Sequence, residues 1–320
     1  MKILITGGAG FIGSHVADRY LELGHEVVII DNLITGRMEN IPKKATFYRM
    51  DICDETVASV FEVERPEIVN HHAAQMDVRK SVNDPIYDAQ VNVIGGLNIL
   101  QNCIRFGIKK FIFSSTGGAI YGEQDYFPAD EEHPLRPLSP YGITKLTTEK
   151  YLYFYQKTYG LTFSILRYAN VYGPRQNPHG EAGVVAIFTE KILKGEQPVI
   201  NGDGLQTRDY VYVGDVVRAN ELVLQRGDNR IYNVGTGVET KVNDLFQKIV
   251  QRIGRQVPEK HGPAKPGEQL RSVLSYQRIL KELNWEPEIS LDSGLERTVA
   301  FFREQVKSKN GSSHEPQGDS

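Results

Sequence analysis

The sequence contains little cysteine, no long apolar run and no strong excess of either charge. Only two of its 320 residues are cysteine, Cys53 and Cys103, and neither stands at metal-ligand spacing from a second Cys or a His, which argues against a disulfide framework or a zinc module. The apolar runs fall short of the ~20 residues that a membrane-spanning helix needs, and residues 3–6 are too short a run for a secretion signal. We therefore predict a cytoplasmic protein with reduced thiols and no membrane partner.

Charge is nearly balanced, since 37 basic and 40 acidic residues give a formal net charge of −3. The charges form no long run of one sign, so the composition gives no electrostatic indication of a nucleic-acid partner. His71, His72 and His179 show no metal-ligand spacing, and we predict no metal site. This composition favours small molecules as partners.

Short apolar segments alternate with helical stretches through roughly the first half of the chain. Each segment is too short for a helix and is flanked by turn residues, which is typical of strands buried on both faces. Strands separated by helices form a parallel sheet with crossover connections. We predict a doubly wound Rossmann α/β fold with strands at residues 3–6, 27–30, 46–50, 68–70, 111–113 and 163–166.

The pattern loosens after residue 169, where Pro and Gly residues interrupt the chain. We interpret residues 1–169 as a dinucleotide-binding domain and residues 170–306 as a smaller α/β substrate-binding region, of which some segments return to the main sheet. Residues 307–320 are too polar to order themselves and are predicted to be a disordered tail. Within the second region, strands are predicted at 198–200, 210–213 and 231–234, and helices at 184–193, 242–253 and 291–302.

A glycine-rich turn follows the first strand and opens a helix. Gly7, Gly10 and Gly13 allow a tight turn, close approach of a pyrophosphate, and packing of the helix on the strand. The helix N-terminus, with Phe11 and Ile12, then faces the phosphates. This fingerprint predicts a dinucleotide site, although alone it is weak evidence.

Acidic and small residues at the ends of the next strands extend this site. Asp31 closes the second strand 18 residues after Gly13, where a carboxylate accepts hydrogen bonds from both ribose hydroxyls and repels a 2′-phosphate. NAD is therefore predicted, and Arg37 leaves NADP as the alternative. Asp51 and Ile52 are predicted to contact the adenine, and the alternative for Asp51 is a helix cap. Ala73, Ala74 and Gln75 are predicted to lie beside the cofactor backbone.

Tyr141 and Lys145 lie four residues apart at the start of a predicted helix. Positions i and i+4 share one helical face, so both side chains point at whatever lies beside that helix. An ammonium near a phenol favours the phenolate, which is a base. Such a pair is often a solvated helix face, but the dinucleotide fingerprint favours a catalytic role.

The same helix carries aromatic residues on every side, at positions 151, 153–155 and 159. A helix that is apolar all round must be buried all round. We predict a homodimer in which this helix and residues 92–106 form a helical bundle. Coverage by the chain's own loops is the alternative.

These motifs resemble the extended short-chain dehydrogenase/reductase family, most closely its nucleotide-sugar 4-epimerases of the UDP-glucose 4-epimerase type. The resemblance covers nearly the whole chain. Its motifs are Thr6-Gly7-Gly8-Ala9-Gly10, Asp31-Asn32-Leu33, His72-Ala73-Ala74, Ser114-Ser115-Thr116, Tyr141-Gly142-Ile143-Thr144-Lys145, Arg167-Tyr168-Ala169-Asn170-Val171-Tyr172-Gly173-Pro174-Arg175, Gly204-Leu205-Gln206-Thr207-Arg208-Asp209-Tyr210-Val211 and Lys265-Pro266-Gly267-Glu268.

The resemblance implies a tightly held NAD that is reduced and reoxidised within one turnover on a UDP-sugar. Tyr141, as phenolate, would take the proton of the sugar 4-hydroxyl, and Thr116 would hydrogen-bond the same oxygen. Lys145 would bind the nicotinamide ribose and favour the phenolate. The 4-keto sugar would then turn in the pocket, and C4 would be inverted. Further cofactor contacts implied by the resemblance are Asn32, Ser114 and Tyr168.

The nucleotide diphosphate would anchor the substrate. By resemblance, Asn170 and Arg208 hold the diphosphate, Val185 lies along the base, and Glu268 lies at the nucleoside ribose. The family commonly has Arg where this chain has Lys265, so the second phosphate contact would come from Lys265 or from another cation. Arg271 is the other cation that could make this phosphate contact.

Two further positions bear on the reaction and the sugar. Related 4,6-dehydratases and decarboxylases carry an acidic residue beside the catalytic threonine, whereas Gly117 and Gly118 follow Thr116 here, which favours epimerisation. Ser272 stands where relatives restricted to plain hexoses place a tyrosine, so we expect room for a 2-acetamido group as in UDP-N-acetylglucosamine, unless another side chain fills it. A 4,6-dehydratase, a UDP-glucuronate decarboxylase or epimerase, and a non-enzymatic NAD sensor are the alternatives.

Overall fold

Seven parallel strands form the main sheet in a computed structural model that describes residues 1–179, 183–264 and 269–311. The strands are β1 (Lys2–Thr6), β2 (Glu26–Asp31), β3 (Thr46–Arg49), β4 (Ile68–His71), β5 (Lys110–Thr116), β6 (Thr162–Tyr168), β7 (Asn170–Tyr172), β8 (Ile200–Asn201), β9 (Thr207–Tyr212), β10 (Arg230–Val234), β11 (Glu239–Lys241) and β12 (His261–Gly262). The order of strands in the main sheet is β10-β6-β5-β4-β1-β2-β3. The predicted doubly wound Rossmann fold is confirmed.

Helices cover both faces of this sheet. They are α1 (Phe11–Glu22), α2 (Val57–Glu64), α3 (Val78–Asn83), α4 (Pro85–Ala89), α5 (Gly96–Arg105), α6 (Gly117–Ile120), α7 (Pro140–Tyr159), α8 (Val184–Lys194), α9 (Val213–Leu222), α10 (Val242–Ile253), α11 (Gln277–Leu283) and α12 (Leu291–Gly311). A 3₁₀ turn spans Met38–Asn40 and a π-helical turn spans Gln90–Gly95, directly before α5. None of these described helices has the length and apolar character that a membrane crossing requires.

The strands are apolar on both faces because each face meets a layer of helices. Ile3 and Ile5 pack in the layer that contains α1 and α9, whereas Leu4 between them packs in the layer of α2, α5 and α7. This alternation follows from the two-residue period of a strand. The carboxyl ends of all seven parallel strands therefore meet at one edge, between the two layers.

The second region lies over that edge. Strands β7, β9 and β11 form a small sheet, and α8, α10 and α12 share an apolar core. β10 pairs with β6 and so belongs to the main sheet. The predicted strand at 198–200 begins only at Ile200, since Pro198 has no N–H to donate. The predicted start of the tail at residue 307 is wrong, because α12 continues to Gly311; residues 312–320 lie outside the described residues.

Candidate active site

The turn between β1 and α1 presents bare backbone at the carboxyl edge of the sheet. Gly7 has a φ of +72°, in the region that favours glycine, and a Cβ on it would lie 2.6 Å from the amide nitrogen of Ala73. Gly10 is the N-cap of α1, so residues 11–13 form the first turn and their N–H groups face the same edge. This close-packed backbone fits a dinucleotide pyrophosphate.

Asp31 ends β2 with its carboxylate held by backbone amides. Its Oδ2 accepts a hydrogen bond from the N–H of Ala9 (3.0 Å), and its Oδ1 accepts one from the N–H of Leu33 (2.8 Å). Asp31 is 8% exposed, and burial raises its pKa although both hydrogen bonds oppose that effect. The carboxylate is therefore oriented at the edge where the sequence predicts a ribose contact.

Asp51 and Asn32 connect the ends of β3 and β2. The Nδ2 of Asn32 donates to Oδ2 of Asp51 (2.7 Å), and the N–H of Cys53 donates to Oδ1 (2.9 Å). The N-cap of α2 is Thr56, so the alternative of Asp51 as the cap of that helix is wrong. Ile52 is buried in the apolar layer. The adenine contact of Asp51 and Ile52 stays a prediction.

The segment after β4, with Ala73, Ala74 and Gln75, is fixed by the π-helical turn. The N–H of Gln75 donates to Oδ1 of Asn92 (2.8 Å), and Nδ2 of Asn92 donates to the carbonyl of Gln75 (3.0 Å). The Nε2 of Gln75 also donates to Oδ1 of Asp88 (2.9 Å). These hydrogen bonds thus fix the backbone that carries the small side chains of Ala73 and Ala74.

Helix α7 brings Tyr141 and Lys145 to this edge. Ser139 caps the helix, since its Oγ accepts a hydrogen bond from the N–H of Gly142 (3.2 Å). The Nζ of Lys145 lies 5.9 Å from the centre of the Tyr141 ring, which fits i and i+4 positions on one face. The same Nζ donates to the carbonyl of Ser114 at the end of β5 (2.8 Å).

Lys145 is a buried cation that lies near two carboxylates and two imidazole rings. Burial lowers the pKa of Lys145 to about 8, and the negative charges of Asp88 and Glu149 oppose that fall. Burial lowers the pKa of His71 and of His72 to about 3, an effect to which the charge of Lys145 adds. Near neutral pH both imidazoles are neutral and Lys145 carries a proton.

Thr116 ends β5 and Asn170 begins β7, two residues after the neighbouring strand β6 ends, and the two side chains flank one opening. A Cβ on Gly118 would lie 3.7 Å from Oδ1 of Asn170 and 3.9 Å from Oγ1 of Thr116, so a side chain there would project between them. The start of α7 touches this loop, because a Cβ on Gly142 would lie 2.6 Å from the carbonyl oxygen of Ala119. The structure thus brings Thr116, Asn170 and the start of α7 together.

Other predicted binding residues have side chains in the interior. Ser114 Oγ shares a hydrogen bond with Nδ1 of His72 (2.6 Å), and the hydroxyl of Tyr168 accepts one from Nδ2 of Asn220 (2.8 Å). Tyr168 is 5% exposed, and Val185 is 1% exposed in the core of α8, α10 and α12. Any contact of Tyr168 or Val185 with a ligand therefore involves the backbone or a small part of the side chain.

Arg208 lies on the same face of the small sheet as Asn170. Asn170 pairs with Tyr210, two residues after Arg208, and residues two apart on a strand point to the same side. Asp209 points the other way and is 1% exposed. It accepts hydrogen bonds from Oγ1 of Thr236 (2.6 Å) among other donors, which fixes β9.

Arg271 is engaged by neighbouring side chains. Its Nη2 pairs with Oε1 of Glu239 (2.6 Å), and its guanidinium lies 3.6 Å from the centre of the Phe127 ring. Ser272 is 2% exposed. Two predicted substrate contacts lie outside the described residues, Lys265 and Glu268.

The sequence analysis missed the buried polar residues that support this site. Asp88, Asn92 and Glu149 were not proposed, and neither was Arg167, whose Nη2 pairs with Oε2 of Glu149 (2.6 Å). Glu149 had a usable signal, since it follows Lys145 by four residues and so shares its helical face. Asp88 and Asn92 had a similar i, i+4 spacing before α5.

Comparison with known proteins agrees with this geometry. The family model described as "NAD dependent epimerase/dehydratase family" matches residues 3–235. A crystal structure of UDP-glucose 4-epimerase from Thermotoga maritima with UDP-glucose is 51% identical, with a TM-score of 0.94, over 96% of this chain and 100% of that one. A UDP-glucose 4-epimerase from Thermus thermophilus in complex with NAD is 46% identical, with a TM-score of 0.92, over 95% of this chain and 99% of that one.

A third structure is a UDP-N-acetylglucosamine 4-epimerase from Methanobrevibacter ruminantium in complex with UDP-N-acetylmuramic acid. It is 35% identical, with a TM-score of 0.90, and the match covers 95% of this chain and 98% of that one. The similarity thus extends over both regions of the chain.

Proposed function

Because this chain belongs to the NAD dependent epimerase/dehydratase family, we propose that it is an NAD-dependent 4-epimerase of UDP-hexoses, which interconverts UDP-glucose and UDP-galactose. The observation that carries this proposal is the arrangement of Tyr141 beside the buried cation Lys145, with Thr116 at the neighbouring strand end. The bare backbone at Gly7 and the oriented carboxylate of Asp31 fit NAD.

In the reaction, Tyr141 is the group that moves the proton. NAD, when bound, supplies reversible acceptance of hydride from C4 of the sugar. Tyr141 as phenolate takes the proton of the 4-hydroxyl and returns one to the same oxygen after the sugar has turned. Lys145 favours the phenolate through its positive charge, and Thr116 donates a hydrogen bond to the 4-oxygen. Asn170 and Arg208 hold the diphosphate, with a further cation from Lys265 or Arg271.

The loop after β5 favours epimerisation over dehydration. Elimination of water requires an acid beside the catalytic threonine, and here that place holds Gly117 and Gly118. A Cβ on Gly117 would lie within 2.9 Å of Cδ2 of Leu274, which is fully buried, so no larger side chain fits without repacking. This loop therefore lacks the acidic side chain that a 4,6-dehydratase or a decarboxylase would need.

We also propose activity on UDP-N-acetylglucosamine. The small side chain of Ser272 and the similarity to a UDP-N-acetylglucosamine 4-epimerase support it. Ser272 is only 2% exposed. The effect of a larger side chain on activity will therefore decide whether this position borders the sugar pocket.

The experiment is proton NMR of purified protein, without added cofactor, incubated with UDP-glucose and separately with UDP-N-acetylglucosamine. We expect both galacto epimers from the wild type and neither from Tyr141→Phe. Ser272→Tyr should lower the N-acetyl activity relative to the hexose activity by about 10-fold; an unchanged ratio contradicts the role of Ser272. A 4-keto-6-deoxy product, or no product even with NAD supplied, contradicts the epimerase.

A homodimer and a cytoplasmic location complete the proposal. On the outer face of α7, Tyr153 is 59% exposed and Phe154 is 47% exposed, and Ile94 in the π-helical turn is 50% exposed. The loops within the described part of the chain leave these side chains uncovered, so a second copy is the partner that fits the prediction of a fully buried helix. Both cysteines are free thiols, which supports a reducing compartment.

A further inference from the structure

Asp88 is a fully buried carboxylate between the catalytic helix and the cofactor edge. It is 0% exposed at the end of α4. Its Oδ1 accepts hydrogen bonds from Nε2 of Gln75 (2.9 Å) and Nδ2 of Asn92 (3.1 Å), and its Oδ2 accepts one from Oγ1 of Thr144 (2.8 Å). All three donors are neutral, and among the described residues no cationic side chain lies within salt-bridge distance of this carboxylate.

Lys145 is the cation that shares this interior with Asp88. Thr144, which donates to Asp88, is the residue directly before Lys145 in α7. The other carboxylate near Lys145 is Glu149, and Glu149 is already neutralised by a two-point pair with Arg167, at 3.0 Å to Nε and 2.6 Å to Nη2. Among the described residues near Lys145, Asp88 is therefore the carboxylate that has no cationic partner in direct contact.

The remaining titratable groups that face Lys145 do not replace Asp88. His71 and His72 come from β4 and are neutral near pH 7. Tyr141, on α7 itself, is the proposed base. The contact from β5 is the carbonyl of Ser114, together with the Phe113 ring, whose centre lies 4.8 Å from Nζ.

We propose that Asp88 is a positioning residue of the epimerase reaction: a buried counter-charge that keeps Lys145 cationic at working pH while its hydrogen bonds fix α7 against the Gln75 segment. This inference rests on the proposed function, because it assigns Asp88 a role through Lys145. Its physical basis is that an opposite charge in a low-dielectric interior favours the charged form of a neighbouring group. Asp88 does not touch the sugar in this role.

The test titrates Lys145 itself, so that it does not depend on turnover. Protein labelled with ¹³C at the lysine ε-carbon is followed by NMR against pH, and the Lys145 signal is identified by its loss in Lys145→Arg. The wild-type midpoint is expected at about 8. Asp88→Asn, which keeps the size and an acceptor but removes the charge, should lower the midpoint by about one pH unit. The alkaline limb of the kcat profile should move down equally.

Thr144→Val is the matched control, because it removes a hydrogen bond to Asp88 but leaves the charge. We expect its midpoint to stay at the wild-type value. An unchanged midpoint in Asp88→Asn, or an equal shift in Thr144→Val, overturns the proposal. If Asp88→Asn does not fold, the proposal requires that Asp88→Glu folds and keeps the wild-type midpoint. If neither variant folds, the proposal is overturned and Asp88 is a purely structural carboxylate. Absence of epimerisation alone would instead contradict the proposed function.

Discussion

The two adjacent glycines after β5 have different surroundings. Gly117 lies against the buried side chain of Leu274, so it lets the loop pack closely. Gly118 leaves room for a Cβ, which would make only ordinary contacts with Asn170 (3.7 Å) and Thr116 (3.9 Å). In the proposed reaction this space is where the sugar turns, so Gly118 controls the room for substrate and Gly117 controls the packing of the loop.

Substitutions at position 118 test whether Gly118 controls the room for the substrate. Gly118→Val should lower kcat/KM for UDP-glucose by about 10-fold or more, because its methyl groups occupy the space between Thr116 and Asn170. Gly118→Ala is the matched control, since its Cβ makes only ordinary contacts, and it should retain most of the activity. Thermal unfolding of both should stay near that of the wild type. Equal losses in activity and stability would contradict a role for Gly118 in the sugar pocket.

The residues that the sequence indicated are those whose signal is local. Gly7, Gly10 and Gly13 follow one strand, and Tyr141 and Lys145 share one helical turn, so spacing alone brings each set together. The contact of Asp88 with helix α7 could not be found in this way, because its partner Thr144 is 56 residues further along the chain. Buried polar partners of this kind depend on the packing of separate elements, which spacing does not report.

Helix α7 is fixed in place by one buried ion pair. Glu149 is 4% exposed and Arg167 is 2% exposed. Ser115 also donates to Oε1 of Glu149 (2.5 Å), so the pair joins α7 to both β5 and β6. Because Glu149 lies on the same face as Lys145, this contact sets the position of the catalytic helix against the strand ends.

Removal of one partner should therefore be strongly destabilising. Glu149→Gln leaves Arg167 buried without its counter-charge, and we expect a loss of roughly 3–5 kcal/mol in the free energy of unfolding. Glu67→Gln is the control, since it breaks the exposed pair of Glu67 and Lys109 (2.6 Å) and should change stability by at most about 1 kcal/mol. Urea denaturation measures both. Similar losses in the two variants would show that burial of the pair is not what matters.

The sequence predicted the existence of the strands better than their ends. For β5 the prediction covered 111–113, whereas the strand continues to Thr116. The missed residues are polar, and their side chains are satisfied inside the protein, with Ser114 bonded to His72 and Ser115 to Glu149. Hydrophobic patterning stops where polar residues begin, but a parallel strand can continue when those residues find buried partners. The π-helical turn had no sequence signal of this kind.

At the scale of the whole chain, the outer face of α7 carries the exposed aromatic side chains on which the proposed dimer depends. Tyr153, Phe154 and Tyr159 are each close to half exposed or more. Burial of a large apolar side chain contributes roughly 1.5–3 kcal/mol, and a two-fold interface uses every such residue twice. Burial of these side chains would therefore support the proposed association through this face.

Association through α7 predicts a dimer that a single charge on this face disrupts. The wild type should have twice the 36.0 kDa chain mass in light scattering at micromolar concentration. Phe154→Glu should give the monomer mass with an unchanged circular dichroism spectrum, because two-fold symmetry places two uncompensated carboxylates in an apolar interface. Leu23→Glu, at an exposed position after α1 in the opposite helical layer, should remain dimeric. A monomeric wild type, or a Phe154→Glu variant that stays dimeric, would contradict the helical-bundle dimer.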